Sequence, residues 1–136
     1  MAFDQYYAEI EDYLPSIGRV LLGAFFLFQG LTKVTGGFSG FASYIESLGI
    51  PAATVVAALV IAIEVLGGLA LLIGLRARTV GLFLAAYLAI VNLVAHPFWA
   101  EPDQLSTFMK NLGLIGGLLL QSTVGSGDYS LDSYLE

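Results

Sequence analysis

Charged and amide side chains occur inside stretches of this sequence that are otherwise apolar. The clearest example is the segment Pro15–Gly36, which is long enough to cross a bilayer and carries Arg19, Gln29 and Lys33. A charge at the middle of a membrane span costs about 2.5–3.5 kcal/mol, so it needs an interior partner, a water-filled cavity or a route to the head groups. Phe26 lies seven residues after Arg19 and seven before Lys33, which is the spacing of one helical face. We therefore expect the other helices to pack around this face.

Three further apolar stretches carry polar residues that can meet this face. Mapped by depth along the spans, most of the polar groups fall in one half of the membrane, with Glu64 near the middle. We expect them to form an intramembrane ligand-binding cluster of Gln29, Lys33, Glu64, Asn92, His96, Lys110 and Asn111. Arg19, nearer the other face, is an additional candidate. No catalytic residue can be assigned.

The charge of this cluster indicates what it can bind. Up to three permanent cations face a single carboxylate, and an anion, a lowered lysine pKa or an oxygen-rich ligand such as a quinone head group would offset the excess. His96 can exchange protons near neutral pH. The structural alternatives are that Arg19 and the lysines extend to the head groups, that His96 is an interfacial residue, and that Glu64 forms a buried ion pair.

Composition sets the fold class. Of 136 residues, 57% are hydrophobic and 12% are charged, whereas about 25% are charged in an average soluble domain. Mean hydropathy is +0.83. We predict an all-α polytopic membrane protein with four transmembrane helices in a bundle. Phe38–Gly49 is too short to cross and has an apolar stripe, so we expect a short amphipathic interfacial helix between the first and second spans.

The predicted organisation is a single membrane domain with two polar ends. Residues 1–14 form an acidic, tyrosine-rich interfacial N-terminus, residues 15–124 form the transmembrane domain, and residues 125–136 form a polar tail. The spans are expected at about 15–36, 52–75, 79–96 and 105–124. Four spans place both termini on the side of Arg76 and Arg78, and the positive-inside rule makes that side cytoplasmic. No cleavable signal peptide is expected, because the N-terminus is acidic and lacks a short apolar run with a cleavage site.

The residue types also argue against several kinds of site. The sequence has no cysteine and one histidine, so thiol chemistry is absent and too few ligands remain for a haem or transition-metal centre. The net charge of −6 and the lack of a basic patch argue against nucleic acid as a partner. No cofactor motif is present. The expected surroundings are the lipid bilayer and either other membrane subunits or further copies of the chain.

Six short motifs, in order, resemble those of the DoxX family of small four-helix membrane proteins. The resemblance extends from Ile17 to Asp132. The motifs are FLFQGLTK at Phe26–Lys33, SLGIP at Ser47–Pro51, E-x-x-G-G at Glu64–Gly68, G-x-x-x-R at Gly74–Arg78, FMKN at Phe108–Asn111 and G-x-Y-S-x-D at Gly127–Asp132.

This resemblance implies a function as well as a fold. Members resemble the small subunit of a membrane thiosulfate:quinone oxidoreductase or are linked to thiol-redox partners. By analogy, Lys33, His96 and Lys110 would polarise or protonate a ligand oxygen, and Glu64 would balance charge. We therefore expect a subunit supporting a quinone-linked redox system in the cell inner membrane, not a stand-alone enzyme. Two alternatives remain open: an accessory subunit of a larger membrane complex and a small-molecule exporter.

Overall fold

A computed structural model describes residues 1–136, and every regular element in it is helical. One 3₁₀ turn, Pro102–Gln104, precedes the sixth helix. The seven α-helices are α1 Ala2–Ile10, α2 Leu14–Thr35, α3 Phe38–Ser47, α4 Ala53–Ile73, α5 Ala77–Ala95, α6 Leu105–Val124 and α7 Leu131–Leu135.

Three of these helices, α2, α4 and α5, are long and apolar enough to cross a membrane. Each lies within about two residues of a predicted span. The fourth predicted span corresponds to α6, which has 20 residues but is not among the three because Lys110, Asn111 and Gln121 make it more polar. The all-helical prediction is confirmed, and three of the four predicted spans correspond to helices that are long and apolar enough to cross a membrane.

Helices α2 and α4 form the tightest pair, and they run antiparallel. A Cβ added at Gly68 would lie 2.5 Å from the backbone nitrogen of Leu27, and one added at Gly23 would lie 2.7 Å from that of Leu72. No side chain fits in so small a gap, so the two glycines allow the backbones to approach. This contact fixes the depth of α4 relative to the polar face of α2.

The second pair consists of α5 and α6, also antiparallel, and its contact with the first pair forms the apolar core. Phe26 and Leu71 from the first pair pack with Leu84, Leu88 and Leu118 from the second. These five side chains are all at most 6% exposed. The two pairs thus enclose a common interior, but α2 and α6 make few contacts with each other.

A short helix lies where the apolar stripe predicted one. In α3, Ala42 and Ile45 are buried against Ala57 of α4, and Phe41 packs at the edge of this cluster. The helix therefore covers the end of the α2–α4 pair at which Lys33 lies.

At the opposite end, the C-terminal segment is fastened to α2, α4 and α5. Arg19 is 1% exposed, and its guanidinium donates hydrogen bonds to four backbone carbonyl groups. They belong to Leu71, Leu72, Ser126 and Tyr129. Arg19 therefore closes the C-terminal end of α4, where carbonyl groups lack helical partners, and holds the tail against it.

Asp132 completes this end of the molecule and explains where α5 begins. Its carboxylate accepts hydrogen bonds from the backbone N–H groups of Arg76 at 2.6 Å and Ala77 at 2.9 Å, and from the hydroxyl of Ser126 at 2.6 Å. Arg76 has a φ of +47° and precedes the helix. The predicted start at Thr79 is thus two residues late, because a carboxylate from the tail caps the N-terminus of α5. We call Arg19, Asp132 and the segment 125–132 the C-terminal clasp.

Candidate functional site

The centre of the candidate site is an ion pair between α2 and α4. Lys33 Nζ lies 2.9 Å from Glu64 Oε2. The hydroxyl of Tyr87, on α5, donates to the other carboxylate oxygen, Oε1, at 2.9 Å. Lys33 also donates to the backbone oxygen of Gln29 at 3.3 Å and lies 5.5 Å from the ring centre of Phe41. Side chains from two other helices, α2 and α5, therefore neutralise and orient this carboxylate.

Gly30 explains why this pair can form in the interior. A Cβ at Gly30 would lie 2.7 Å from Cγ2 of Val65 and 3.1 Å from Cβ of Glu64. The glycine lets α4 come close enough for Glu64, which is 6% exposed, to meet Lys33 one turn further along α2. The interior carboxylate is thereby paired, as the cost of burying a charge requires.

A second polar group joins α5 to α6. Asn111 Nδ2 donates to Asn92 Oδ1 at 3.1 Å, and Asn92 Nδ2 donates to the backbone oxygen of Phe108 at 3.1 Å. Asn92 is 1% exposed. It holds Asn111 in place and leaves one N–H of the Asn111 amide free.

These two groups face a common cavity of about 220 Å³ at the end of the bundle that α3 covers. Five of the seven predicted site residues line it: Gln29, Lys33, Glu64, His96 and Asn111. Asn92 lies directly behind Asn111. Lys110 lies outside, exposed on α6, where it lines a neighbouring groove with Asn111. Side chains from four separate segments of the chain thus meet at one cavity.

Arg19 does not belong to this cavity. Its guanidinium bonds to carbonyl groups at the opposite end of α2, in the C-terminal clasp. It neither joins the polar cluster nor extends to the surface, so both sequence-based expectations for this residue differ from its position in the structure.

Several residues of the site were not predicted from the sequence. The main one is Tyr87, which bonds to Glu64; the others are Thr107 in the cavity wall and Gln104, whose Oε1 lies 2.8 Å from Nδ1 of His96. The position of Tyr87 in the middle of a predicted span could have indicated that it belongs to the site. Tyrosine is enriched at the membrane interfaces, and a tyrosine in the middle of a span indicates a partner for its hydroxyl.

The cavity offers unpaired hydrogen-bond donors next to an ion pair. The ammonium of Lys33 has three N–H groups, of which two are used within the chain. The side-chain amide of Gln29 makes no hydrogen bond within the chain, because only its backbone oxygen is bonded. One N–H of Asn111 is also free. These donors suit a compact ligand with at least two acceptor oxygens.

Comparisons with known proteins place the chain among membrane proteins. The model of the DoxX family matches residues 14–97. The inner membrane protein YqjF of Escherichia coli (strain K12) is 37% identical over 127 residues, which is 93% of this chain and 95% of that protein. An uncharacterized Caenorhabditis elegans protein, T02E1.7, is 34% identical over 64 residues, or 44% of this chain and 24% of its own length. No solved structure gave a significant match.

Proposed function

Because this chain belongs to the DoxX family, we propose that it is a small integral subunit of a quinone-linked redox system in the cytoplasmic membrane. The quinone head group would bind in the cavity beside Lys33 and Glu64. The observation behind this proposal is the set of free donors from Lys33, Gln29 and Asn111 around a space of about 220 Å³.

The residues of the cavity suit the two carbonyl oxygens of a quinone. The free N–H groups of Lys33 and Gln29 come from α2, and that of Asn111 comes from α6, on the other side of the space. A ring between them would receive donors at both ends. The ring faces would meet Phe25, Phe26 and Leu88, which supply the apolar part of the lining.

Once bound, a quinone accepts two electrons, supplied by a partner redox subunit, and two protons. Side chains of this protein can supply the protons. Tyr87 donates to Glu64 at 2.9 Å, and Glu64 contacts Lys33 at 2.9 Å. Tyr87 thereby holds the carboxylate in place. The ammonium of Lys33, whose side chain is 22% exposed, can give protons to the reduced ligand one at a time and recover each from water. Glu64 also cancels the charge of Lys33, so a neutral ligand can enter without leaving a buried cation unbalanced.

The same proposal assigns α6 as a fourth span. Twenty residues of helix extend about 30 Å, the thickness of a hydrocarbon core. Its polar residues Asn111 and Gln121 are buried against α5, where they bond to Asn92 and to the backbone oxygen of Ala77. With four spans, both termini and the residues Arg76 and Arg78 lie on one side, the cytoplasmic side by the positive-inside rule.

A tailless benzoquinone tests the proposal in lipid nanodiscs. Quinones quench indole fluorescence, and the chain has a single tryptophan, Trp99. Its ring lies 6.2 Å from that of Phe108, which adjoins the cavity residue Thr107. We expect saturable quenching in the wild type and at least tenfold weaker binding in Lys33→Met and Glu64→Gln.

Glu101→Gln is the matched control, since it removes an exposed carboxylate near Trp99 outside the cavity. It should bind like the wild type. Absence of saturable quenching in a folded wild-type protein would overturn the proposal. Equal affinity in Glu64→Gln and the wild type would favour the alternative of an accessory subunit in which the polar residues serve only as a structural network.

A further inference from the structure

A groove between α2 and α6 extends from the polar cavity along the outside of the bundle. It has a volume of about 570 Å³, and its walls include Leu22, Phe25, Lys110 and Gly117. It exists because α2 packs on α4 and α6 packs on α5, whereas α2 and α6 make few contacts. In a membrane this opening would face the lipid.

The groove and the cavity adjoin each other. Both are lined by Phe25, Gln29, Thr107 and Asn111. The groove therefore reaches two of the donor residues of the cavity, Gln29 and Asn111.

In the other direction, the groove adjoins a third space of about 640 Å³, with which it shares Leu22 and Gly117. That space is lined mainly by apolar side chains, among them Leu21, Leu120 and Val124. Along α6, the path from Thr107 to Val124 covers about 25 Å of helix at about 1.5 Å per residue. It is polar at the cavity end and mainly apolar in surface along the rest, where Lys110, Gln121, Arg19 and Glu11 also contribute to the lining.

Glycines in the groove wall are not explained by packing within the chain. A Cβ at Gly113 would meet no atom within 4 Å, and one at Gly117 would meet only Leu22 Cδ2, at 3.8 Å. A helical glycine costs about 1 kcal/mol relative to alanine. Gly23 and Gly68 offset that cost by close helix contact, but Gly113 and Gly117 contact nothing comparable. Their effect is to leave the groove open.

We propose that the ligand of the polar cavity is an amphiphile, which enters from the bilayer between α2 and α6 and lays its apolar tail along the groove. This rests on the proposed function, since it takes the head group to bind beside Lys33. A second copy of the chain is the competing occupant. It would bury Lys110, which has no counter-charge within this chain, whereas a tail passing beside Lys110 leaves its ammonium free to reach the surface.

The experiment compares two benzoquinones with the same head group, one without a tail and one with a decyl tail, in nanodiscs. The contribution of the tail is measured as the ratio of the two affinities, decyl compound to tailless compound. Partition of each compound into the lipid is the same for every variant, so it cancels when this ratio is compared between variants. In the double variant Gly113→Leu, Gly117→Leu, we expect this ratio to fall at least tenfold while the affinity for the tailless compound stays unchanged. Gly116→Leu, on the same helix but outside the groove lining, should keep the wild-type ratio.

An unchanged ratio in the double variant would overturn the inference and leave the proposed function intact. A tailless compound that fails to bind the wild type would overturn the proposed function itself. A change from dimer to monomer in the double variant, with no change in the ratio, would assign the groove to a second copy.

Photolabelling tests the same inference in the wild-type protein, so its result does not depend on the folding of the leucine variants. A quinone with a diazirine at the end of its tail should label α6 near Leu120 and Val124. Labelling of the α4 surface around Leu59 and Leu66, on a different face of the bundle, would contradict the inference.

Discussion

The guanidinium of Arg19 donates a 2.7 Å hydrogen bond to the backbone oxygen of Tyr129, 110 positions further along the chain. The same side chain bonds to Leu71 and Leu72 at the end of α4. One buried arginine thus joins the first span, the second span and the C-terminal segment. The C-terminal clasp thus lies at one end of the bundle, and the polar cavity lies at the other.

Replacing Arg19 by methionine should destabilise the protein by about 2–3 kcal/mol, because it leaves several carbonyl groups without a donor in a buried position. Deleting residues 125–136 should cost a comparable amount, since it removes two of the acceptors of Arg19 and the cap of α5. The measurement is thermal unfolding in detergent, followed by the fluorescence of Trp99.

The combination of the two changes provides the control. If the tail is held mainly through Arg19, the deletion should cost much less in the Arg19→Met background than in the wild type. Full additivity would mean that the tail and Arg19 act independently. Quinone binding at the far cavity should survive in Arg19→Met protein that remains folded.

Asp132 makes the clasp sensitive to acid. Burial raises the pKa of its carboxyl, but hydrogen bonds from Ser126 and from the backbone of Ala77 and Arg76, together with the charge of Arg19, outweigh this and hold the pKa below its ordinary value. A carboxyl with a depressed pKa stabilises the fold above its unfolded pKa, about 3.9, and loses that contribution as pH falls through the folded pKa.

Asp132→Asn should therefore be less stable than the wild type at pH 7, and the gap should close as the pH is lowered below about 4. The loss at pH 7 should be about 1 kcal/mol, because the amide keeps only one acceptor oxygen for the donors of Arg76, Ala77 and Ser126 and lacks the charge that faces Arg19. Thermal unfolding at several pH values measures it, with Asp128→Asn as the matched control in the same tail. A gap that is independent of pH would show that the charge of Asp132 is not responsible.

The features that could be predicted from the sequence follow from helical periodicity and from the cost of burying charge. The apolar lengths located α2, α4 and α5 to within about two residues, and the family prediction is confirmed. The depth and register of Gln29, Lys33, Glu64, His96 and Asn111 brought them to one cavity wall. The ligand-binding role of that cluster stays a prediction.

The clasp could not be predicted in the same way. Arg19 and Asp132 bond largely to backbone groups more than 50 residues away. Because almost every residue carries the same backbone groups, the sequence does not indicate which of them a side chain will bond to. The start of α5 was misplaced for the same reason, since its cap comes from the tail. Tyr87 was not predicted because the cluster was assembled from charged, amide and histidine side chains, although a tyrosine hydroxyl inside a span also needs a hydrogen-bond partner.

The contact between Gly23 and Gly68 should tolerate no side chain. A Cβ at Gly68 would lie 2.8 Å from the backbone oxygen of Gly23, so Gly68→Val must push α2 and α4 apart. Overpacking of this kind costs about 1–3 kcal/mol, and the added distance should also separate Lys33 from Glu64. We expect lower thermal stability together with weaker quinone binding.

Gly116→Val is the matched control, because a Cβ there would meet no atom within 4 Å. It should retain wild-type stability to within about 0.5 kcal/mol, as substitutions away from packed features usually do. Equal losses of stability in the two variants would show that valine destabilises these helices through its low helix propensity and not through a steric clash between α2 and α4.

The Lys33–Glu64 pair should behave as a coupled unit. The two side chains are 22% and 8% exposed, so removing one partner leaves a largely buried charge unpaired. Lys33→Met or Glu64→Gln alone should cost about 3–5 kcal/mol. The double variant should be more stable than the sum of the two losses predicts, with a coupling energy of about 1–3 kcal/mol. Tyr87→Phe removes a hydrogen bond to Glu64 without touching the pair, and should cost about 1 kcal/mol. Unfolding of the wild type, the two single variants and the double variant in the same detergent gives the coupling energy, and Tyr87→Phe is measured beside them. A coupling energy near zero would mean that the 2.9 Å contact between Lys33 and Glu64 contributes nothing to stability.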